Sequence, residues 1–463
     1  MAHTKGILPA LLLVVALGAP AQAQVDAATA ATLGGPALTP IGAERAGNAD
    51  GSIAAWDGGL TEKPAGFEQG ERLPNPFPQD KPIYTITAAN MAAHAESLSE
   101  GHKALLKTYP DTYFMHVFES RRTCNFSQKV YDHARRNAVS GRLVSDGNGI
   151  EGALVGAPFP FPQNGLHVFW NHRLSPRPFK FRRWYAMAPV AADGSYELIR
   201  KVDDGINHFA GPGRRTEGDV ATLADLQNIW VTRREQTTAP GRVSGNIELM
   251  RDTVDLATGP RQAWAHTPGP PARVRRVLES GYDTELSFSG GLAAYDQMDM
   301  WNGPPDRFDL RLVGKREIIT PINNFDLANA AYADLLRPGH INQHHVRYEN
   351  ARAWVVDARL KPGSSHVDAR RLAYQNEDAM RWFAIANYDA AGTLARVQEG
   401  PLTHWYDIGI CYNAMELVYD LRSGQYLANA MTAEEPRITT TSDDVRPERY
   451  TPAAMRLGCR SGK

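Results

Sequence analysis

Three histidines in the segment GHINQHH, His340, His344 and His345, have the spacing in this sequence that comes nearest to metal chemistry. On a helix, His340 and His344 would share one face and a cation, yet the glutamate that follows the first histidine of a zinc hydrolase is missing. The expectation is solvent-facing histidines at the entry to a strand. Asp146-Gly147-Asn148-Gly149 opens like a calcium loop without the rest of its ligand ladder, which favours tight turns. The carboxylate pairs Asp203-Asp204 and Asp443-Asp444 sit in loop-like contexts, and Ser287-Phe288-Ser289-Gly290-Gly291 reads as a flexible turn. No G-x-S-x-G elbow, P-loop or dinucleotide fingerprint occurs, so no catalytic residue, metal ligand or cofactor is assigned and the chain is read as non-enzymatic. Cys124, Cys411 and Cys459 lack metal-site spacing; they allow three pairings with one thiol left over, or three unbridged thiols.

The remaining chemistry is apolar. Nine Trp and seventeen Tyr fall largely in strand-like segments. Trp264, Trp354 and Trp382, with Val356, are the candidate lining of one hydrophobic cavity; the alternative is that they fill an ordinary core.

The elements that would carry these residues are strands. From Arg347 to Val397 the chain alternates as an antiparallel meander, with turns at Lys361-Pro362-Gly363, Asn376-Glu377-Asp378 and Asp389-Ala390-Ala391-Gly392. Alternation puts Trp354, Val356, Ala358 and Leu360 on one face, and Met380, Trp382, Ala384, Ala386 and Tyr388 together on another strand, opposite Phe383 and Ile385. Gly241 to Val277 restarts the pattern, with Arg273, Arg275 and Arg276 as a solvated row or a contact for lipid phosphates or an acidic partner. Strand-like pieces are expected between Gly165 and Val202, helix or strand at Gln227 to Thr237, a polar loop at Asp296 to Pro305, and a strand from Phe308 to Thr320. Tyr412 to Leu421 and Tyr426 to Thr432 form a hairpin. Short helices are expected after the caps Thr87, Ser99 and Ser127, the last stopping at Gly141, and from Asn324 to Leu336. Phe159, Phe161, Phe169 and Trp170 cap a cavity or pack over a sheet edge. The class is mainly β with a few short helices (α+β), the strands following as hairpins without crossover helices.

Lys5, the apolar run Ile7 to Leu17 and the small-x-small site Ala21-Gln22-Ala23 have the form of a cleaved export signal. No cysteine follows that site to accept a lipid anchor, and an exported, periplasmic protein is expected. With 50 Lys and Arg against 51 Asp and Glu there is no broad cationic surface, which speaks against nucleic acid as a partner.

Several phrases look familiar together: Arg261-Gln262-Ala263-Trp264, Arg273-Val274-Arg275-Arg276, Asn302-Gly303-Pro304-Pro305-Asp306-Arg307, Leu312-Val313-Gly314-Lys315-Arg316-Glu317, Gly34-Gly35-Pro36-Ala37-Leu38-Thr39-Pro40-Ile41-Gly42-Ala43-Glu44 and Ser99-Glu100-Gly101-His102-Lys103-Ala104-Leu105-Leu106. They resemble the large periplasmic proteins of the LolA-like superfamily that form a family of unknown function, related to outer-membrane lipoprotein-sorting proteins. The resemblance implies a LolA/LolB-like unclosed antiparallel β-barrel with helices in its mouth. Residues 1–23 are read as signal peptide, 24–86 as an extended Pro/Gly-rich arm and 435–463 as a polar tail, and the resemblance implies a LolA-like β domain with helical insertions over 87–434. It also implies a lipid or other hydrophobic molecule as ligand, carried to or from the outer membrane, with an outer-membrane barrel protein and an inner-membrane lipid exporter as partners. The alternatives are a docking or structural partner of such a barrel without a ligand of its own and, more remotely, a hydrolase. This chain is about twice the length of the lipoprotein carriers, which sets it apart from lipoprotein sorting itself.

Overall fold

The computed structural model describes residues 25–68, 72–210, 226, 228–269, 273–278, 281–436 and 445–457. The expected signal segment, the pair Asp443-Asp444 and Cys459 lie outside the described residues.

After α1 (Ala27–Ala30), the chain forms β1 (Tyr84–Ile86), α2 (Glu100–Thr108), β2 (Met115–Phe118) and α3 (Gln128–Ser140). A small ribbon of β3 (Arg142–Val144) and β4 (Gly149–Glu151) precedes α4 (Gly165–Arg173). Six antiparallel strands follow: β5 (Lys180–Val190), β6 (Ile199–Asn207), β7 (Ile229–Ala239), β8 (Ile247–Thr253), β9 (Gln262–Thr267) and β10 (Arg273–Val277). Then come β11 (Phe308–Pro321), α5 (Phe325–Asn329), α6 (Tyr332–Leu335), β12 (Tyr348–Leu360), β13 (Arg370–Asn376), β14 (Arg381–Tyr388) and β15 (Leu394–Glu399). The separate hairpin β16 (Leu402–Trp405) and β17 (Ile410–Asn413), then β18 (Glu416–Asp420), β19 (Tyr426–Met431) and α7 (Pro452–Leu457) complete the chain.

Among the described residues, β18 pairs β15 and β19 pairs β5, which fuses the two meanders into one 15-stranded sheet from β1 to β10. The pairings are antiparallel except a short parallel contact of β2 with β12, and none closes the sheet on itself. The mainly β, unclosed architecture is the expected one. Exposed Arg273, Arg275 and Arg276 lie on β10 at the sheet's end, where charge deters pairing with another chain.

The two faces of the β12–β14 region are both covered. One carries Val356, Ala373, Trp382 and Ile385 and packs against Phe169 and Trp170 of α4 and against Trp301 and Phe308. The other carries Val355, Tyr374, Phe383 and Ala384 and packs against Ala134 and Ala138 of α3. The strict alternation expected on β14 fails here. Phe383 is an extra residue in the ladder, because Tyr374 faces Ala384 while Gln375 faces Trp382, so Trp382 shares its face with Ile385 and not Ala384.

Local signals explain most elements. Ser99 Oγ accepts from His102 N at 3.1 Å and starts α2. Gly141 is the C-cap of α3, and glycine fits there because a Cβ would lie 2.8 Å from the carbonyl oxygens of Asn137 and Pro158. Thr87 caps nothing; its amide donates to Asn90 Oδ1, and only a 3₁₀ turn over Met91–Ser97 follows. The expected helix from Asn324 to Leu336 is split into α5 and α6 at Ala330-Ala331. Gly165–Arg173, expected as strand, is α4, with Asn164 Oδ1 accepting from His167 N at 2.9 Å. Its residues are buried nearly all round, so no helical stripe of apolar positions betrays it. Among the described residues no helix is long and apolar enough to cross a membrane.

Candidate functional site

Period-two alternation on β5 to β8 brings one set of side chains to a common face. Cross-strand register aligns Arg183 with Asp203 and Asp203 with Glu235, and in the next row Phe181 with Gly205, Gly205 with Arg233 and Arg233 with Met250. Gly205 makes room for Phe181, since a Cβ would stand 2.9 Å from that ring. Asp203 and Asp204, expected in a loop, are both interior residues of β6 and buried. Asp203 is paired from the neighbouring strands and Asp204 by Tyr450 OH, 246 positions on, at 2.8 Å, which no local pattern in the sequence reveals.

Three further segments face this surface: Arg177 and Pro178 after α4, Asp299 and Asn302, and the β16–β17 hairpin with Trp405, Ile410 and Tyr412. Between the walls lies a cavity of about 110 Å³ that Trp230, Met250 and Asp252 also line. A smaller one of about 70 Å³ adjoins it, sharing Arg183 and Trp405 and lined further by Leu73, Phe325, Ala328 and Thr403. The hairpin is anchored from behind. Cys411 of β17 is joined to Cys124, so one of the three pairings open to the sequence is the disulfide.

The polar lining is arginine-rich. Arg183 Nη2 donates to Asp203 Oδ2 at 2.9 Å and Arg233 Nε to Asp203 Oδ1 at 2.8 Å. Arg233 Nη2 and Lys201 Nζ donate to Glu235 at 2.6 and 2.7 Å, and the Tyr185 hydroxyl donates to the same carboxylate. On the other wall Arg177 donates to Asp299 Oδ2 at 2.6 Å, Tyr412 OH to Oδ1 at 2.7 Å, and Arg381 also reaches Oδ1. Arg173 and Arg261 both bond Asp252, at 2.9 and 3.0 Å. Such pairing is needed, because an unpaired charge here would carry a large desolvation cost.

Burial alone would push the Asp299 carboxyl up, but Arg177 and Arg381 outweigh it and hold the group well below the usual carboxylate range. Asp252 is likewise lowered by Arg173 and Arg261 against burial. Glu416 goes the other way, raised by burial and by the nearby Asp299. His172, fully buried, is pushed well down by burial and then by Arg381, and stays a neutral ring with Nε2 2.8 Å from the Asp299 carbonyl oxygen. Asp296 and Asp299 belong to the segment expected as a polar loop. Asp296 is buried and Asp299 partly buried, and both are held by arginines distant in sequence, Arg371 for Asp296 and Arg177 with Arg381 for Asp299.

The four residues singled out in the sequence divide. Trp354 and Trp382 both stand opposite Gln375 in one cross-strand row, and with Val356 they join a single apolar cluster. Trp382 and Val356 are fully buried, whereas Trp354 is half-buried under the Lys315 ammonium, 4.8 Å from its ring. Trp264 belongs to a different cluster with Leu249, Tyr450 and Met455, and Arg251 lies 5.5 Å over its ring. None of the four lines the cavities beside β5 to β8. Trp230 and Trp405, which do, lay in segments that the sequence left ambiguous or unremarked. His340 is buried and not solvent-facing, with ring nitrogens 2.9 Å from Thr112 Oγ1 and 2.7 Å from the Ile341 carbonyl oxygen. His345 pairs with Asp334 at 2.7 Å and His344 packs on Phe114.

Two solved structures are similar to part of this chain. One is a DUF1329 family protein from Desulfovibrio piger, with TM-score 0.40 and 11% identity, covering 63% of this chain and 95% of that one. The other is a LolA superfamily protein from Nitrosomonas europaea, with TM-score 0.37 and 12% identity, covering 63% of this chain and 98% of that one. An uncharacterized protein of Pseudomonas aeruginosa is 40% identical over 436 residues, 94% of each chain. Residues 85–456, which include every strand of the sheet but the first residue of β1, match the family described as "Protein of unknown function (DUF1329)", and the chain belongs to that family.

Proposed function

We propose that this chain is an exported, periplasmic, non-enzymatic binding or carrier protein for a lipid or other hydrophobic molecule, serving transport to or from the outer membrane. The observation that supports this reading best is the two-sided lining of the cavity between β5–β8 and the β16–β17 hairpin. Phe181, Trp230, Met250, Trp405 and Ile410 offer apolar surface beside a fixed array of arginines. Burying an acyl chain is worth roughly 0.8 kcal/mol per methylene, so such surface binds without a polar code for the chain itself. The cavity of about 110 Å³ is smaller than the roughly 300–1,000 Å³ of ordinary ligand sites, so a whole acyl chain enters only if the hairpin or the Asp299 loop shifts.

The test is titration of the mature protein with a fluorescent fatty-acyl probe, beside a Trp405→Ala variant checked for folding by circular dichroism. Saturable uptake, weakened about tenfold or more by Trp405→Ala, supports the carrier. A folded protein that takes up no probe removes it and leaves the docking role beneath an outer-membrane barrel.

A further inference from the structure

The lining holds Arg177, Arg183 and Arg233 against Asp203, Asp252 and Asp299, and the arginines behind it tip the balance to cation. Asp203 is shared by Arg183 and Arg233, Asp299 by Arg177 and Arg381, and Asp252 by Arg173 and Arg261, so six guanidiniums meet three aspartates. Glu235 adds one carboxylate and Lys201 one more cation. Burial also disfavours the charged form of the nearby Glu416. A buried excess of positive charge is costly unless something anionic compensates it.

The donors of the wall are not all used. Nε of Arg177, Nε of Arg183 and Nε1 of Trp230 are buried without a hydrogen-bond acceptor. All three residues line the same cavity, and Trp230 is only 5% exposed. The Arg177 guanidinium lies 5.5 Å over the Trp230 ring and 5.4 Å over that of Tyr412, which fixes its plane at the cavity edge. Buried N–H groups rarely go unpaired, since each has lost its bond to water and gained none in return. Three of them on one small cavity, beside uncompensated charge, call for an acceptor that carries negative charge.

We infer that this cavity is an anion subsite, in which Arg177, Arg183 and Trp230 hold the phosphate or carboxylate head of an amphiphilic ligand while its apolar part lies against Phe181, Met250, Trp405 and Ile410. This deepens the carrier reading and rests on it for the apolar part alone. Charge-assisted bonds from guanidinium are the strong ones, and arginine's fork matches a phosphate or carboxylate in geometry. Neutral lipids would leave the donors unanswered.

The experiment uses isothermal titration of the mature protein with three probes: dodecyl phosphate and dodecyl maltoside, both below micelle formation, and inorganic phosphate. The expected result is dodecyl phosphate bound at least about tenfold more tightly than dodecyl maltoside, with inorganic phosphate competing. Trp230→Phe keeps the ring and removes the donor, and Arg177→Lys keeps the charge and removes the fork. Each should erase most of the ratio of dodecyl phosphate to dodecyl maltoside affinity, whatever it does to the apolar contact that both probes share, and a circular-dichroism spectrum like that of the unsubstituted protein excludes misfolding. Equal affinity for the charged and neutral amphiphiles overturns the anion subsite and leaves the carrier intact. Binding of inorganic phosphate without either amphiphile keeps the subsite and removes the carrier. Binding of none of the three overturns both.

Discussion

Cys124 and Cys411, separated by 287 positions in the chain, form a disulfide with their α-carbons 5.8 Å apart. Cys411 stands between Ile410 and Tyr412, the two residues of β17 that line the cavity. On a strand its side chain points away from theirs, so the bridge holds the cavity's outer wall from behind.

Cys124→Ser combined with Cys411→Ser is expected to lower stability by roughly 2–5 kcal/mol in urea unfolding. Amide exchange at Ile410 and Tyr412 should speed up with it, because the hairpin loses its anchor. Equal exchange in bridged and unbridged protein would mean that the hairpin is held by its other contacts, such as Arg177 to Tyr412 OH at 2.9 Å.

Trp382→Ala removes a fully buried ring whose centroid lies 6.4 Å from that of Trp301, and should cost about 3–5 kcal/mol. Trp264→Ala acts on a half-buried side chain and should cost on the order of 1 kcal/mol. Affinity for the acyl probe, measured on the folded fraction, should survive both. Loss of uptake in a stable Trp382→Ala protein would instead move the ligand to the β12–β14 face.

Stability should fall as the medium is acidified from neutrality. Burial holds His167 and His404 down to about 4 from an ordinary 6.5, and His172 well below it. Between 6.5 and about 4 the unfolded chain therefore binds protons that the folded chain refuses, and each step down in pH favours unfolding. Below the ordinary carboxylate range, protonation of Asp299 and Asp252, whose folded values are depressed, weakens the fold further. Thermal melts across that window check the slope. His404→Leu, at a ring whose two nitrogens have no partner, should flatten it by on the order of 2–3 kcal/mol. A melting temperature independent of pH over this window would contradict the assignment of neutral buried rings.

The strands were legible wherever one face meets the core and the other a turn signal follows, as in Trp354, Val356 and Ala358 before Lys361-Pro362-Gly363. Gly363, at φ +82°, sits in the left-handed conformation that such a turn requires. Helix α4 was hidden because Phe169, Trp170 and His172 are buried on different sides, so the segment has no solvent face to set a period. The Phe383 bulge inverts the faces of β14, and a single inserted residue leaves no mark in a run that is apolar throughout. The cavity was illegible for a different reason. Asp203 and Asp299 look like loop carboxylates until sheet register and the hairpin bring Arg183, Arg233, Arg177 and Arg381 against them. Only the tertiary pairing distinguishes them from solvated charge.

The most direct measurement of the central claim is lipid extraction and mass spectrometry of the mature protein purified from periplasm without detergent. The account predicts an apolar molecule at near-stoichiometric amount, retained through purification and reduced in Trp405→Ala. A folded protein that yields no such molecule, and that takes up none when offered acyl probes, would contradict it.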